Sequence, residues 1–168
     1  MSSEDVDPFR EAVAGTATVH ETTVEEFAET LESAIEPPAV GTPLPFEGVS
    51  LAETAVETDF SPGELQWAAT GVTPARIGIG EYGTVTLPSD DAGTELVSLY
   101  TPRHVAVLPA SGIEPDMKAA YERLSSEFAE GAQTQVLATG PSATADMGTL
   151  IQGVHGPHEV HILVLEDR

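Results

Sequence analysis

The sequence predicts an α/β domain with a mostly parallel sheet flanked by helices, and three observations support this prediction. From residue 76 onward, apolar runs of strand length alternate with segments of helical periodicity. Several of these runs are apolar at successive positions, as in a strand that is covered on both faces. The chain has 168 residues, which is enough to bury the core of one such domain.

The N-terminal third predicts an acidic helical segment followed by a linker. Residues 22–35 carry apolar side chains at helical spacing, and Thr23 and Glu26 have the spacing of a capping box. Residues 36–48 contain four prolines and two glycines, which is typical of a linker or of an extended wrapping segment. We therefore predict that residues 1–60 form a solvated appendage and that residues 61–168 form the α/β domain.

The elements of the α/β domain follow from turn residues and hydrophobic periodicity. Ser61, followed by Pro62 and Glu64, is typical of a helix start, and this helix should end near Gly71. Apolar residues on either side of Glu81-Tyr82-Gly83 predict a hairpin-like pair of strands. The remaining predictions are strands over 104–108, 134–138 and 160–165, an amphipathic helix over 115–129 and a short helix over 144–151.

Charge and composition exclude several classes of function. The chain has 28 acidic and 6 basic residues and a net charge of −22, so nucleic acid is excluded as a partner. Such self-repulsion destabilises a compact fold unless salt screens it. The composition resembles that of halophilic archaeal proteins, and the alternative is an acidic, partly disordered protein. No signal peptide or membrane-spanning run is present in the sequence, so we expect a cytoplasmic protein without membrane insertion.

The sequence contains no cysteine, which limits its redox chemistry. Disulfides, thiolate catalysis and cysteine-ligated iron–sulfur clusters are therefore excluded within this chain. If the chain takes part in redox chemistry, another subunit must carry the electrons.

Three segments carry residues suited to binding or catalysis. The segment from Ala138 to Asp146 follows a predicted strand, where free amides could hold an anion, although a capped turn without a ligand is the alternative. Glu81 could be a general base or simply a solvated turn residue. Arg103 before His104 could bind an anionic ligand or only form an ion pair.

A fourth group of candidates is the run of histidines near the C-terminus. His155, His158 and His161 are spaced by three residues, but Gly and Pro break any helix there, and His158 and His161 fall on opposite faces of a strand. We therefore predict no metal site. His155, between two glycines, is the better candidate for proton transfer or anion contact.

Five segments together resemble the LUD-domain family, in its lactate-utilisation protein C branch and of halophilic archaeal type. The segments are 71–73, 79–85, 102–107, 139–146 and 153–157. The resemblance implies a fold similar to the sugar-isomerase and CoA-transferase superfamily. It also implies a cluster-free subunit beside two iron–sulfur subunits that oxidise L-lactate to pyruvate, with no cofactor in this chain. The alternative is a free-standing enzyme or binding module for a small anion such as a sugar phosphate or acyl-CoA.

The resemblance also carries site residues over to this chain. We assign catalytic roles to Glu81, Asp146 and His155 and predict that they share one pocket with Ser142. Ligand-binding roles are assigned to Gly83, Thr84, Arg103, His104, Gly140, Pro141, Ser142, Thr144, Gly153 and Gly156. The chain departs from the family pattern at Gly148, where Glu is usual, and at Tyr82, where Thr is common.

The net charge predicts a salt-dependent stability. We expect the melting temperature to rise markedly between low salt and molar potassium chloride, because the Debye length falls to about 3 Å at 1 M and mutual repulsion among the acids is screened. Circular dichroism melts across that range measure the effect. A melting temperature that is flat or falls with salt would contradict the prediction.

Overall fold

A computed structural model describes residues 6–131, 134–141, 143–146, 149–152 and 155–168. Its centre is a six-stranded sheet in the order β1-β12-β7-β4-β2-β3, in which every neighbouring pair is parallel. The strands of this sheet are β1 Thr18–Thr22, β2 Ala39–Gly41, β3 Val56–Glu57, β4 Thr70–Pro74, β7 Arg103–Pro109 and β12 Glu159–Leu165. The predicted α/β fold with a mostly parallel sheet flanked by helices is confirmed.

A second sheet of four short strands stands beside the first, in the order β8-β5-β6-β9. Its strands are β5 Gly78–Ile79, β6 Thr84–Pro88, β8 Ile113–Glu114 and β9 Gln135–Ala138. The antiparallel pairing of β5 with β6 confirms the predicted hairpin around Glu81. A separate two-stranded hairpin consists of β10 Ala143–Asp146 and β11 Thr149–Gln152.

Helices cover both faces of the parallel sheet. The helices are α1 Val6–Val13, α2 Phe27–Ala34, α3 Pro62–Trp67, α4 Thr94–Tyr100 and α5 Met117–Ala129, with a short 3-10 turn over Ala110–Gly112. Helix α2 packs on one face against residues such as Val105 and Leu163, while α1 and β6 pack on the other against Ala106 and Ile162. The alternation of side chains along β7 and β12 therefore divides the core into two layers. No helix in the described part of the chain has the length and apolar character needed to cross a membrane.

Local signals predicted several elements correctly. The predicted helix start at Ser61 is confirmed, and Ser61 caps α3 through a capping box with Glu64. Helix α5 lies within the predicted range, but only Ala120 and Leu124 on it are buried. Tyr121 is 61% exposed, so the predicted apolar face is narrower than its residue types suggest.

Four predictions about the elements were wrong. Residues 144–151 contain the strands β10 and β11 and not a helix, and the helix begun at Pro62 ends before β4 and does not reach Gly71. Residues 134–138 form β9, which pairs antiparallel with β6 and lies outside the parallel sheet. Of the two alternatives for residues 36–48, the linker was wrong, because the segment includes the fully buried strand β2.

The predicted boundary at residue 60 does not divide the parallel sheet. Strands β1, β2 and β3 come from the N-terminal third and pair with strands from the rest of the chain. In α1, Phe9 is fully buried in the same core layer as Ile162. The apolar residues at helical spacing in this acidic segment therefore belong to helices that pack in the core, and the prediction of a solvated appendage was wrong.

Gly71 on β4 tests the packing of α4 on the sheet. A Cβ atom at Gly71 would lie 2.7 Å from the carbonyl oxygen of Val97 and 2.8 Å from its Cγ1. We expect G71A to lower the free energy of unfolding by about 1–3 kcal/mol, the usual cost of overpacking. In G63A the nearest atom to the new Cβ is Ser61 Oγ at 3.8 Å, so this control should be neutral or gain up to about 1 kcal/mol. Denaturant unfolding measures both, and equal stability of the two variants would contradict the packing argument.

Candidate functional site

A cavity of about 220 Å³ lies where β7 and β12 begin and where β9 ends. Its floor includes His104, the second residue of β7, and Val160, the second residue of β12, which are direct neighbours in the sheet. The other lining residues come from β6, from β9 and the loop after it, from α4 and from the loop before β12. They are Leu87, Ser98, Leu99, Val136, Leu137, Ala138, Thr139, Gly140, Pro141, His155, Gly156 and Pro157.

The cavity is bordered by a histidine that is neutral at physiological pH. His104 is 2% exposed, and its Nε2 lies 2.7 Å from Thr73 Oγ1. Burial lowers the pKa of His104 to about 4, because the charged imidazolium would lose its hydration. A neutral ring has one nitrogen that donates and one that accepts. Within the described residues Thr73 is the hydrogen-bond partner of Nε2, so Nδ1 is the ring nitrogen left to meet a ligand.

Two glycines of the candidate site allow close contact with the N-terminal segment. Gly140 has a φ of +64°, and a Cβ there would lie 2.9 Å from Cβ of Thr16. Gly83 has a φ of +61°, and a Cβ there would lie 2.8 Å from the backbone nitrogen of Val13. Residues that carry a side chain rarely adopt this left-handed backbone conformation, and these two positions also have no room for a Cβ atom. Gly140 therefore allows Thr16 to pack against the loop that lines the cavity, and Gly83 allows α1 to pack against the turn before β6.

The structure brings together residues from all five segments that carried the family resemblance. Thr73 hydrogen-bonds His104, and Thr84 Oγ1 lies 2.6 Å from Thr139 Oγ1, next to Gly140. Thr139, Gly140 and Pro141 line the cavity together with His155 and Gly156. Segments far apart in sequence thus meet around one small cavity.

Only part of the predicted pocket of Glu81, Ser142, Asp146 and His155 can be placed. His155 lines the cavity, whereas Glu81 is exposed in the turn between β5 and β6 and is not among the lining residues. The positions of Ser142 and Gly153 and the side chains of Thr144 and Asp146 lie outside the described residues. Asp146 is the last residue of β10.

Arg103 faces the opposite side of the sheet from His104 and is engaged in ion pairs. Its Nη2 lies 2.6 Å from Glu159 Oε2 and 2.9 Å from Glu36 Oε1, and its Nη1 donates to the carbonyl oxygen of Ala34. Arg103 and Glu159 are direct neighbours across β7 and β12, so their side chains meet on one face. The hydrogen bond and charge of Arg103 lower the pKa of Glu159. The geometry corresponds to the ion-pair alternative for Arg103.

A wider cleft of about 450 Å³ adjoins the cavity and shares Leu99, His155 and Gly156 with it. Tyr100, Thr101 and Pro102 at the end of α4 form one side, and His158 lies on the other. The backbone nitrogen of His158 donates to the carbonyl oxygen of Pro102 at 2.7 Å, which fixes the loop before β12. His155 therefore stands between the cavity and the cleft.

Sequence reasoning missed α4, which supplies Ser98 and Leu99 to the cavity. The available signal was Asp90, whose carboxylate accepts hydrogen bonds from the backbone nitrogen and hydroxyl of Thr94 at the helix start. The helix has only seven residues, so its apolar periodicity is short. It begins after Gly93, which has a left-handed backbone. Thr16 was also missed, because nothing in its local sequence points to Gly140.

The sequence is similar to one protein family and to several named proteins. Residues 14–165 match the LUD domain family model. The chain belongs to the LUD domain family. It is 35% identical over 129 residues to the lactate utilization protein C of Bacillus licheniformis, covering 74% of this chain and 54% of that protein. It is 28% identical over 165 residues to the protein of that name from Macrococcus caseolyticus, covering 88% and 71%.

The relatives are longer than this chain, and a solved structure has the same fold. The chain spans about half the length of relatives such as the lactate utilization protein C of Bacillus subtilis, where the match is 33% identical and covers 50% of that protein. A crystal structure of a DUF162 family protein from Deinococcus radiodurans superposes with a TM-score of 0.72 at 20% identity, covering 99% of both chains. At that identity the likeness supports the fold alone.

The lowered pKa of His104 predicts a loss of stability in acid. The ring takes up a proton at about pH 6.5 in the unfolded chain but only at about 4 in the folded one, so its contribution is complete above the unfolded pKa. As the pH falls toward the folded pKa, this contribution, on the order of 3 kcal/mol, should be lost. H104Q keeps an amide near Thr73 but does not titrate. Urea unfolding at several pH values should give a shallower pH dependence for H104Q than for the wild type, and equal slopes would contradict the assignment.

Proposed function

We propose that this chain is a cluster-free LUD-domain subunit in lactate utilisation, with a binding site for a small carboxylate in the 220 Å³ cavity. In this proposal it works in the cytoplasm beside iron–sulfur subunits that oxidise L-lactate to pyruvate. The observation that supports it is that three of the five family segments line one cavity, and that Thr73 and Thr84 from the other two hydrogen-bond His104 and Thr139 in its lining. The relatives named lactate utilization protein C support the pathway.

The size and chemistry of the cavity favour a small ligand with a carboxylate and a hydroxyl group. Its volume is below the range of about 300–1,000 Å³ that drug-sized ligands occupy. Nδ1 of His104 can exchange a hydrogen bond with a hydroxyl, and the imidazole of His155 can approach a carboxylate. Neither interaction needs a resident cation. Because the net charge of −22 repels an anion, affinity should rise with salt.

The division of labour between subunits follows from the side chains that this chain contains. Oxidation of lactate to pyruvate releases two electrons and two protons, and iron–sulfur clusters held by cysteine thiolates accept such electrons. The 168 residues offer no thiolate, so the clusters are expected on the partner subunits. This chain would then bind the substrate or product and exclude water from it.

The acidic surface supports a further expectation about the cellular setting. All six basic residues form ion pairs with acids, which leaves an excess of 22 negative charges without a cation from this chain. We propose that the protein works in a salt-rich interior, where counterions supply the screening. The relatives compared above are bacterial, so the archaeal halophilic branch stays a prediction.

The alternative ligand is a sugar phosphate or acyl-CoA bound by a free-standing enzyme or binding module. The wider cleft next to His155 favours this alternative, because a small head group in the cavity could continue into it. None of the described residues that line this cleft is an arginine or a lysine, which disfavours a polyphosphate as the ligand.

Ligand titration of the chain at molar potassium chloride tests the proposal. We expect L-lactate and pyruvate to bind, and H155A to weaken binding by about tenfold, the factor for loss of a hydrogen bond to a charged group. Isothermal titration calorimetry measures the affinities. E81Q is the matched control, because Glu81 is exposed and does not line the cavity, and it should bind as the wild type does. Absence of binding by either acid, or tighter binding of a sugar phosphate, would contradict the lactate assignment.

A further inference from the structure

Two histidines on neighbouring strands form a hydrogen-bonded pair outside the cavity. Nε2 of His20 on β1 lies 3.0 Å from Nδ1 of His161 on β12. The ring centroids are 5.3 Å apart and the planes differ by 16°. The centroid separation exceeds the distance between the nitrogens by about two ring radii, so the rings lie edge to edge in nearly one plane. This is the geometry of an N–H···N hydrogen bond and not of face-to-face stacking.

The surroundings of His161 indicate which ring donates. Nε2 of His161 lies 3.9 Å from Glu159 Oε2, so the carboxylate favours a proton on that nitrogen. Nδ1 of His161 is then the acceptor, and Nε2 of His20 is the donor. A first added proton goes to Nδ1 of His20 and leaves the hydrogen bond intact. A second must go to Nδ1 of His161, where it replaces the acceptor lone pair and places two cations side by side.

The groups around the pair make the second proton unfavourable but possible. Burial lowers the pKa of His20, and burial followed by the charges of Arg103 and His20 lowers the pKa of His161. Glu159 acts in the opposite direction on His161, while Glu36 is held by Arg103. On α2 the uncharged Thr30 reaches β1, where its hydroxyl forms a hydrogen bond with the hydroxyl of Thr22. On α1, Arg10 forms an ion pair with Glu21 on the other side of β1.

Strand β1 connects this pair to the candidate cavity. It is an edge strand whose one partner in the sheet is β12. Two residues before its start, Thr16 lies so close to Gly140 that a Cβ on the glycine would be 2.9 Å from that of Thr16. A change in how β1 is held on β12 therefore reaches the loop of Gly140 and Pro141 that lines the cavity.

We propose that the His20–His161 pair is a pH-sensitive latch, which holds β1 on β12 at neutral pH and loosens β1 and the Gly140 loop in acid. Its effect on the cavity as a regulator of ligand binding rests on the function proposed above, whereas the latch itself does not. The loosening begins below the ordinary histidine pKa of about 6.5.

Hydrogen exchange of the full chain at molar potassium chloride, without a ligand, tests the latch. After correction for intrinsic rates, peptides covering residues 16–22 should lose about fivefold in protection between about pH 7.5 and about pH 5, the factor that one net hydrogen bond is worth. Peptides covering 135–141 should lose protection over the same pH range, whereas peptides covering β4 in the centre of the sheet should keep their protection. Since no lactate is present, a failure to bind lactate would not affect this result.

Two substitutions at one position separate the latch from general acid destabilisation. In H20F, which neither donates nor titrates, protection of β1 should be low at both pH values. In H20Q the amide donates to neutral His161 and, when flipped, accepts from the protonated ring, so protection should be high at both. If β1 in H20Q lost as much protection in acid as β1 in the wild type, the proposal would be overturned. Full protection of β1 in H20F at neutral pH would also overturn the proposal. So would a loss of protection of β1 in acid that leaves the protection of residues 135–141 unchanged.

Discussion

The pairing of β7 with β12 is the constraint on which the arrangement of the site depends. In this register Arg103 lies opposite Glu159 and His104 lies opposite Val160. Since side chains alternate between the two faces, a shift of one residue would move His104 out of the cavity and bring Arg103 into it. The ion pair between Arg103 and Glu159 on one face and the apolar residues on both faces oppose such a shift.

The same strands are supported from outside by the N-terminal segment. Helix α1 and Thr16 press against Gly83 and Gly140, and β1 extends the sheet beyond β12. The cost of a left-handed backbone at two glycines is offset by a close contact that fixes the loop after β9. The loop of Gly140 that lines the cavity thus contacts Thr16, which is more than a hundred residues earlier in the chain, and this contact links the segment before the edge strand to the site.

Features encoded by local sequence were predictable, and features that depend on distant partners were not. The capping box at Ser61, the hairpin around Glu81 and the apolar runs of β7 and β12 are local signals, and each gave the right element. Strand β9 has the periodicity of any strand, and nothing in its own sequence says that β6 is its partner. The three residues of β2 between prolines resemble a linker, because their strand character comes from pairing with β4. For the site, the family resemblance pointed to His104, Gly140 and His155, which line the cavity, and also to Glu81, which is exposed and does not line it.

The charge of the chain explains why the candidate site is built from neutral groups. Each of the six basic side chains is used to neutralise acids of the chain itself, and Arg103 is held by two of them. A histidine buried in the core of such a protein keeps a low pKa, because the cost of desolvating the imidazolium exceeds any long-range attraction that screened surface acids supply. A ligand of the proposed site would therefore be recognised through oriented hydrogen bonds and shape. Hydrogen bonds of this kind keep their geometry when salt screens the surface, so the salt that we expect to stabilise the fold would leave this recognition intact.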